Sequence, residues 1–584
     1  MSRVTALALY TTTFLSAFAA CAIAQTPAGN DFDIVVTAEK REASVNSVPM
    51  SITAVTGEAL QRQNITQVRD LERVATGFSY IEGTFAAPVY SMRGVGFNDS
   101  TLGSRPTVSV YVDETPLPFS ILTRAASLDV QRVEVLKGPQ GTLFGQNATG
   151  GAINYIAAKP GDVFETGFDV TAGNYGAANF GGFVSGPITD TLGGRMAIRY
   201  EHRDGWQESV SRPGDRLGEV AFGEARGMLV WRPTDQFSAQ LSVTGYLDRS
   251  ETQAAQYLGF HQLTAGASLD PPIDSVALMA PAPQENDAAD WLSGEDYRRH
   301  NKFLQTSLRM DYDLAPDLRV TSLTSYITYT QQHHQGYDGT QYGFGSFTTH
   351  GNIHSFFQEF RLTGDTGDRL HWILGANYGR DSAWQFDDGH TFSTASQQAL
   401  LPFGTFINYG QKLNQEFENW AVFANGDLQL TNALKAHAGV RYTEARDAAV
   451  SCSVNTDGAI GNALGGAYNY FRGLASLPPN APIPIGGCVT TDEFFAPLEL
   501  HSTLDEDNTS WRLGLDWSPM RDLLIYGNVS DGFKAGSFPI VSALRDIQLQ
   551  PAVQEELLAY EIGVKATLMD RLHVDAAVFD YEYT

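Results

Sequence analysis

Beyond residue 160 the chain repeats one pattern: an amphipathic stretch, a tight turn, a second amphipathic stretch, then a long polar gap. The tight turns read Pro187-Ile188-Thr189-Asp190, Pro233-Thr234-Asp235, Ala315-Pro316-Asp317, Asp365-Thr366-Gly367-Asp368, Thr431-Asn432, Pro519-Met520-Arg521-Asp522 and Met569-Asp570. Pro, Gly, Asn and Asp supply the backbone geometry that such turns need. The long gaps lie near 205–218, 249–301, 331–353, 385–416, 450–507 and 532–554. An up-and-down sheet with short links at one end and long links at the other is the pattern of a bacterial outer-membrane barrel. A soluble sandwich has no reason to hold that alternation through seven turns.

The strands repeat the message at residue level. Leu434, Ala436, Ala438, Val440 and Tyr442 share one face, against Lys435, His437, Gly439, Arg441 and Thr443 on the other. Trp511, Leu513, Leu515 and Trp517 oppose Arg512, Gly514 and Asp516, and Tyr560, Ile562, Val564 and Ala566 oppose Glu561, Gly563, Lys565 and Thr567. Aromatics near the strand ends fit an interfacial girdle. Seven turns and six gaps join about fourteen strands. The last strand is less regular, because Phe579, Tyr581 and Tyr583 take over from the even apolar positions, and a bulge or the rim is expected there.

The first 24 residues carry Arg3, a largely apolar run, and Ala22-Ile23-Ala24 before Gln25, which predicts a secretory signal peptide over 1–24. The competing readings are a membrane anchor and a lipid attachment at Cys21, where Phe18 fits poorly. Two cysteines then remain, Cys452 and Cys488, and an even count in an exported chain predicts a disulfide rather than two separate thiols. A net charge of −27 argues against a nucleic-acid partner.

Between these regions, residues 49–159 read as a compact domain of short strands and turns. Thr56-Gly57-Glu58-Ala59-Leu60 leads into one helix and 67–75 into another, with Val68, Leu71 and Val74 on one face. Val108, Val110 and Val112 alternate as a strand does. The segment 132–160, RVEVLKGPQGTLFGQNATGGAINYIAAKP, sets Gly and Pro around two short, mostly apolar runs, without the Gly-Lys-Ser/Thr of a phosphate loop. It closely resembles the end of the plug domain of TonB-dependent outer-membrane receptors. Ser91-Met92-Arg93-Gly94-Val95-Gly96 and Val110-Tyr111-Val112-Asp113 resemble two further plug signatures, and Asp33-Ile34-Val35-Val36-Thr37-Ala38 resembles a TonB box.

That resemblance implies an all-β transmembrane barrel with an N-terminal α+β plug inside its lumen. The organisation expected is a signal peptide (1–24), TonB box and flexible periplasmic linker (25–48), plug (49–159) and barrel (160–584). Plugged barrels of the family have about 22 strands, so the chain is expected to stop short of closure by roughly 200 residues. The implied function is energised import of a scarce large solute across the outer membrane, a ferric siderophore first. Cobalamin, haem and saccharides are alternative cargoes, and a non-transporting remnant or surface protein is the alternative class. Implied partners are the TonB energy-transducing complex, outer-membrane lipid and a small-molecule or chelate ligand. No bound cofactor is expected, iron(III) entering only as chelated cargo.

The resemblance also carries residue roles. Asp33, Ile34, Val35, Val36 and Thr37 form an extended handle that can pair with a partner's sheet edge, unless they are an ordinary first plug strand. Arg93 and Arg132 meet a barrel glutamate, Glu561 being the inward-facing candidate, as a latch or a plain structural pair. Phe97, Asn98, Asp99, Ser100 and Arg105, on an apex at 94–106, are free to meet ligand or form only a turn. His333, His334, His350 and His354 sit in or beside one long loop and lack the fixed convergence of metal ligands. Tyr337, Tyr342, Phe344 and Phe347 stack on a ligand or order that loop. No G-x-S-x-G, H-E-x-x-H or framed carboxylate pair speaks for an enzyme.

Overall fold

The structure, a computed structural model, describes residues 34–82, 88–99, 101–259, 279–343, 345–391, 402–404, 406–569 and 572–584. The expected signal peptide, Asp33, Ser100 and Phe344 lie outside the described residues.

Two short strands, β1 (Val35–Val36) and β2 (Ala43–Ser44), pair antiparallel at the start. The next domain comprises β3 (Ile52–Thr56), α1 (Gly57–Arg62), β4 (Phe78–Glu82), β5 (Pro88–Met92), β6 (Val95–Gly96), β7 (Val108–Val112), β8 (Thr115–Leu117), β9 (Val130–Lys137), α2 (Gly141–Phe144) and β10 (Gly151–Ala157). Five strands make one sheet in the order β3-β9-β10-β7-β8, in which only β10 and β7 run parallel. Every residue of β7 is buried. Val108, Val110 and Val112 pack into one apolar cluster with Leu71 and Phe119, while Tyr111 packs into another with Phe144. The Thr56 hydroxyl caps α1 by accepting from the Ala59 N–H. The helix expected over 67–75 is a 3₁₀ helix, Val68–Arg73. Its apolar spacing of three at 68, 71 and 74 matches three residues per turn.

Among the described residues, fifteen antiparallel strands of one sheet follow, each beside the next in chain order. They are β11 (Glu165–Ala172), β12 (Ala178–Thr189), β13 (Leu192–Arg203), β14 (Val220–Thr234), β15 (Phe237–Asp248), β16 (Asn301–Ala315), β17 (Leu318–Gly336), β18 (Gly345–Thr366), β19 (Leu370–Thr391), β20 (Asn408–Thr431), β21 (Leu434–Val454), β22 (Leu500–Met520), β23 (Leu523–Lys534), β24 (Glu555–Leu568) and β25 (Leu572–Tyr583). The strand missed by the count of about fourteen is β11. Its link to β12 is short although it lies at the long-loop end, so the turn rhythm hides it.

Alternation sets the two faces of this sheet. Val440, Leu513, Leu515 and Ile562 point outward, whereas His437, Arg441, Asp516 and Glu561 are buried on the lumen side. No described helix is long and apolar enough to cross a membrane. The plug fills the lumen, and one apolar cluster joins plug Leu71, Phe119 and Leu122 to barrel Phe222, Tyr246, Tyr329 and Phe417.

Strands β17 to β22 run 19 to 24 residues, about twice what a membrane requires. Among the described residues, the gaps expected at 331–353 and 385–416 are therefore largely strand. The four histidines belong to β17 and β18, not to a loop, and strand alternation parts them. His333 is buried on the lumen side, while His354 is exposed on the other. Strand β25 pairs with β24 with no register shift, so no bulge forms there.

Candidate functional site

The short-turn end of the lumen holds the segment that begins at Ile34. Val36 and Ala38 are buried in a cluster with Leu136, Phe144 and barrel residues Ile373 and Phe423. Thr37 donates to the Glu134 carboxylate from its N–H at 2.8 Å and from its hydroxyl at 3.1 Å. Burial raises the Glu134 carboxyl above its ordinary range, against the pull of Arg132. Lys40 reaches Glu359 of β18 at 2.8 Å, and Arg41 pairs with Asp427 of β20. The expected flexible linker 39–48 is thus packed as part of the β1–β2 hairpin and a following 3₁₀ turn, with Lys40 and Arg41 matched across the lumen. Desolvation explains this: once enclosed, each cation needs a carboxylate.

Lys40 begins a chain of alternating charge. Arg361 lies 3.5 Å from Glu359 and 2.7 Å from plug Glu114, whose other oxygen meets Arg309 at 3.0 Å. Burial pushes the Glu114 carboxyl up, but Arg361, Arg309 and Lys40 outweigh it and hold the group well below the usual carboxylate range. Asp113 (φ 48°) and Glu114 (φ 66°) occupy the two left-handed positions of the β7–β8 turn. Asn-Gly suits that turn best, and a non-glycine residue costs about 1–2 kcal/mol per position. The chain carries Glu114 there, where it meets two barrel arginines. Sequence reasoning missed this network. Its signals were an acidic pair where glycine is favoured, and Glu359 with Arg361 on one strand face.

Arg93 of the plug meets Glu561 of β24 at 2.6 Å and the Tyr581 hydroxyl at 2.8 Å, with its guanidinium 4.1 Å from the Phe579 ring. Phe579 and Tyr581 of β25 are thus lumen contacts for Arg93, while the Tyr583 hydroxyl donates to Glu555. Glu561 also accepts from the Ser51 N–H and the Tyr526 hydroxyl. Arg132 makes no such pair. Its Nε sits 2.8 Å from Glu134, two residues along the same strand face, so the near carboxylate takes it instead of Glu561.

The long-loop end departs further from expectation. Arg105 is buried, paired with Asp381 at 3.0 Å and 4.2 Å from the Phe417 ring, so it is not free to meet a ligand. Its burial leaves the guanidinium no stable alternative to that carboxylate. Leu102 seats where Gly351 leaves room for it, and its N–H donates to Gln385 at 2.7 Å. Phe97 lies under Lys534, 3.7 Å from Nζ to ring centre, and Asp99 accepts from the Thr101 N–H at 3.0 Å. Asn98 is exposed.

The cavity at this end, about 440 Å³, is instead lined by Tyr80, Glu82 and Arg124 of the plug with Arg203, Asp248 and Arg299 of the barrel. Arg124 pairs with Asp248 at 2.9 Å and stacks 4.2 Å from the Phe222 ring, while Arg299 meets Glu82 at 3.4 Å. Burial, then Glu82, push the Tyr80 phenol up to about 12, so it enters this site as a neutral donor. The volume suits a small molecule.

Tyr337, Phe347 and Tyr409 pack on one another, with ring centres 5.4 and 5.8 Å apart. Tyr342 is partly exposed. Among the described residues no group of three or more His, Cys, Asp or Glu side chains is arranged to hold a metal ion. Cys452, at the end of β21, is joined to Cys488 by a disulfide. The bridge closes a loop that carries α3 (Ala459–Leu474).

Two family profiles match the chain: "TonB dependent receptor-like, beta-barrel" over residues 243–584 and "TonB-dependent Receptor Plug Domain" over residues 44–152. The pesticin receptor of Yersinia pestis is 34% identical over 225 residues, covering 37% of this chain and 32% of the relative. An iron-regulated outer membrane virulence protein of Vibrio cholerae is 28% identical over 199 residues, covering 32% and 30%. The matched part thus spans about a third of each curated relative. Among solved structures, the ferric yersiniabactin uptake receptor FyuA of Yersinia pestis superposes with a TM-score of 0.69 at 19% identity, over 91% of this chain and 72% of that one. The siderophore receptor PiuA of Acinetobacter baumannii gives 0.67 at 14%, over 92% and 73%. Those two likenesses concern the fold. With the barrel profile spanning more than half of its length, and the plug profile preceding it, the chain belongs to the TonB-dependent receptor family of the outer membrane.

Proposed function

We propose that this receptor takes up a ferric siderophore, with the work supplied through TonB from the inner membrane. The observation that carries the reading is the division of the filled lumen. A short β-forming segment, Ile34–Thr37, is held at the short-turn mouth by side chains and by its pairing with β2, and a polar small-molecule cavity opens at the other. An extended segment that pairs with a partner's sheet edge transmits tension through main-chain hydrogen bonds. Lys40, Glu359, Arg361 and Glu114 tie that segment to the plug and the plug to the wall, so force on the handle reaches the plug's own anchors. Arg93 and Glu561 serve as a second anchor, and Tyr80, Glu82, Arg124 and Arg299 as ligand contacts. The siderophore assignment draws on the named cargo of the similar receptors, and cobalamin or saccharide import is the alternative on the same scaffold.

The test is uptake of radiolabelled iron by an iron-starved receptor-null strain expressing the chain, over a panel of ferric siderophores. Uptake of at least one chelate that vanishes on deleting TonB is expected. Binding of cobalamin or a saccharide with no chelate bound would sink the siderophore assignment and retain the fold.

A further inference from the structure

The chain between the handle and the plug sheet is held in a way that the import reading leaves unused. Val45–Ser47 form a 3₁₀ turn, and Val48, Pro49, Met50 and Ser51 behind it are buried. Four barrel side chains bond to the main chain of this stretch. The Lys565 ammonium donates to the Val45 carbonyl at 2.8 Å. The Pro49 carbonyl accepts from the Arg512 guanidinium at 2.9 Å and from the Asn528 amide at 3.4 Å. The Ser51 N–H donates to Glu561 at 3.1 Å. These side chains reach inward from β22, β23 and β24, and register sets Asn528 directly opposite Glu561.

The handle ahead of this stretch is held differently. Thr37, Lys40 and Arg41 are tied to the carboxylates of Glu134, Glu359 and Asp427, beside a β1–β2 pairing two residues long. These ties lie in series along the chain, so a pull from the N-terminal end loads them one after another. Behind the stretch comes β3, an edge strand of the plug sheet paired only with β9. Pulled from its end, an edge strand also gives up its bonds in turn, and its loss would open the plug sheet. Between the two, the bonds at Val45, Pro49 and Ser51 fall within seven residues. Pro49 fixes φ there, and two donors fill both lone pairs of its carbonyl. Lys565 and Arg512 bring charge-assisted bonds, roughly twice as strong as neutral ones. Val48 and Met50 add buried apolar contact in one cluster with Ile52 and Leu136. Load that arrives here is shared among bonds anchored in the wall.

We propose that Lys565, Arg512, Asn528 and Glu561 are positioning residues of the import stroke. They form a stop on the main chain at 45–51, so that a pull frees Ile34–Ser44 and halts ahead of β3. The freed eleven residues span at most about 36–40 Å, a long grip for a partner's sheet edge gained with the plug sheet intact. Opening of the plug is then a second, separate step. The inference rests on the reading of Ile34–Thr37 as a TonB handle.

Single-molecule pulling on the full chain in a lipid bilayer, tethered at Ile34→Cys, tests it without TonB. The first event should lengthen the chain by at most about 36–40 Å, with a separate event at higher force behind it. In Lys565→Met/Arg512→Met the two should merge into one event running through Thr56, about 76–83 Å at full stretch. Glu359→Gln/Asp427→Asn, which weakens only the handle's own ties, should lower the force of the first event and keep its length. Lys565→Arg/Arg512→Lys, which retains both cationic donors, should keep two events, and it keeps the test decisive if the Met variant does not fold. A first event in the parent chain that already includes β3 overturns the proposal. So does an unchanged trace in the Met variant, or a merged trace in the variant that retains the donors. Because the trace is read without TonB, a failed uptake assay sinks the import reading alone, and a one-step parent trace sinks the stop alone.

Discussion

At the residue scale, the lumen is governed by the cost of enclosing charge. Arg93 and Glu561 are both nearly buried, so Arg93→Ala leaves an unmatched carboxylate. A loss of about 3–5 kcal/mol is expected, read as a lower denaturant midpoint for plug unfolding. Arg93→Ala/Glu561→Gln should cost less than the sum of the two single changes, because each alone strands its partner. Glu114 makes a pH prediction. Its carboxyl is held below the unfolded value, so its contribution is full above about pH 4.3 and is lost as the pH falls from there toward the folded value. Glu114→Gln should therefore flatten the acid limb of plug stability, measured by urea unfolding between about pH 3 and 6. An unchanged acid limb would remove Glu114 from the clamp. The pairing of Glu114 was not legible in the sequence, because which arginines face it depends on strands some 200 residues further along the chain. The inward direction of Glu561 was legible, since alternation alone sets it. Arg132 shows the limit, because the same alternation that turns it to one face brings Glu134 there first.

At the element scale, the segment Ile34–Thr37 and the loop carrying α3 are the two parts on which function can be tested without disturbing the barrel. Val35 is about half exposed and sits in the two-residue strand β1. Val35→Pro removes a main-chain donor and should abolish energised uptake while ligand affinity stays at the parent value. Normal uptake would sink the handle assignment. Glu134→Ala takes away both acceptors of Thr37, so a spin label at position 35 should become more mobile. The disulfide spans 36 residues, and a loop of that length gains roughly 3–4 kcal/mol from closure. Cys452→Ser/Cys488→Ser should leave heat-modifiable barrel migration intact and open the loop to limited proteolysis. Equal protease resistance would mean that α3 and its packing on Val489 hold the loop alone. Loop extents were the element property least legible in the sequence. Strands such as β18 and β19 run on past the membrane, where no lipid demands an apolar outer face, and the periodicity that marks a strand fades.

At the scale of the whole molecule, one sheet must satisfy lipid outside and a folded domain inside. Leu515 points outward, so Leu515→Arg should cost about 2–4 kcal/mol of barrel stability near mid-membrane, read by folding titration into lipid vesicles. An arginine at neighbouring inward positions should disturb plug retention more than insertion. By itself the sequence determined the up-and-down barrel, its inward and outward faces, the plug ahead of it and the family, because strand alternation, turn chemistry and local motifs are short-range properties. Only the tertiary structure decided that the 34–48 segment is packed, that Arg105 is enclosed while Tyr80 and Arg124 line the cavity, and that Lys40 is linked to Arg309 through three other side chains. Those outcomes follow from which groups are brought together away from water. The Coulomb and desolvation terms that select partners there depend on distance in space, which neither spacing nor periodicity along the chain encodes.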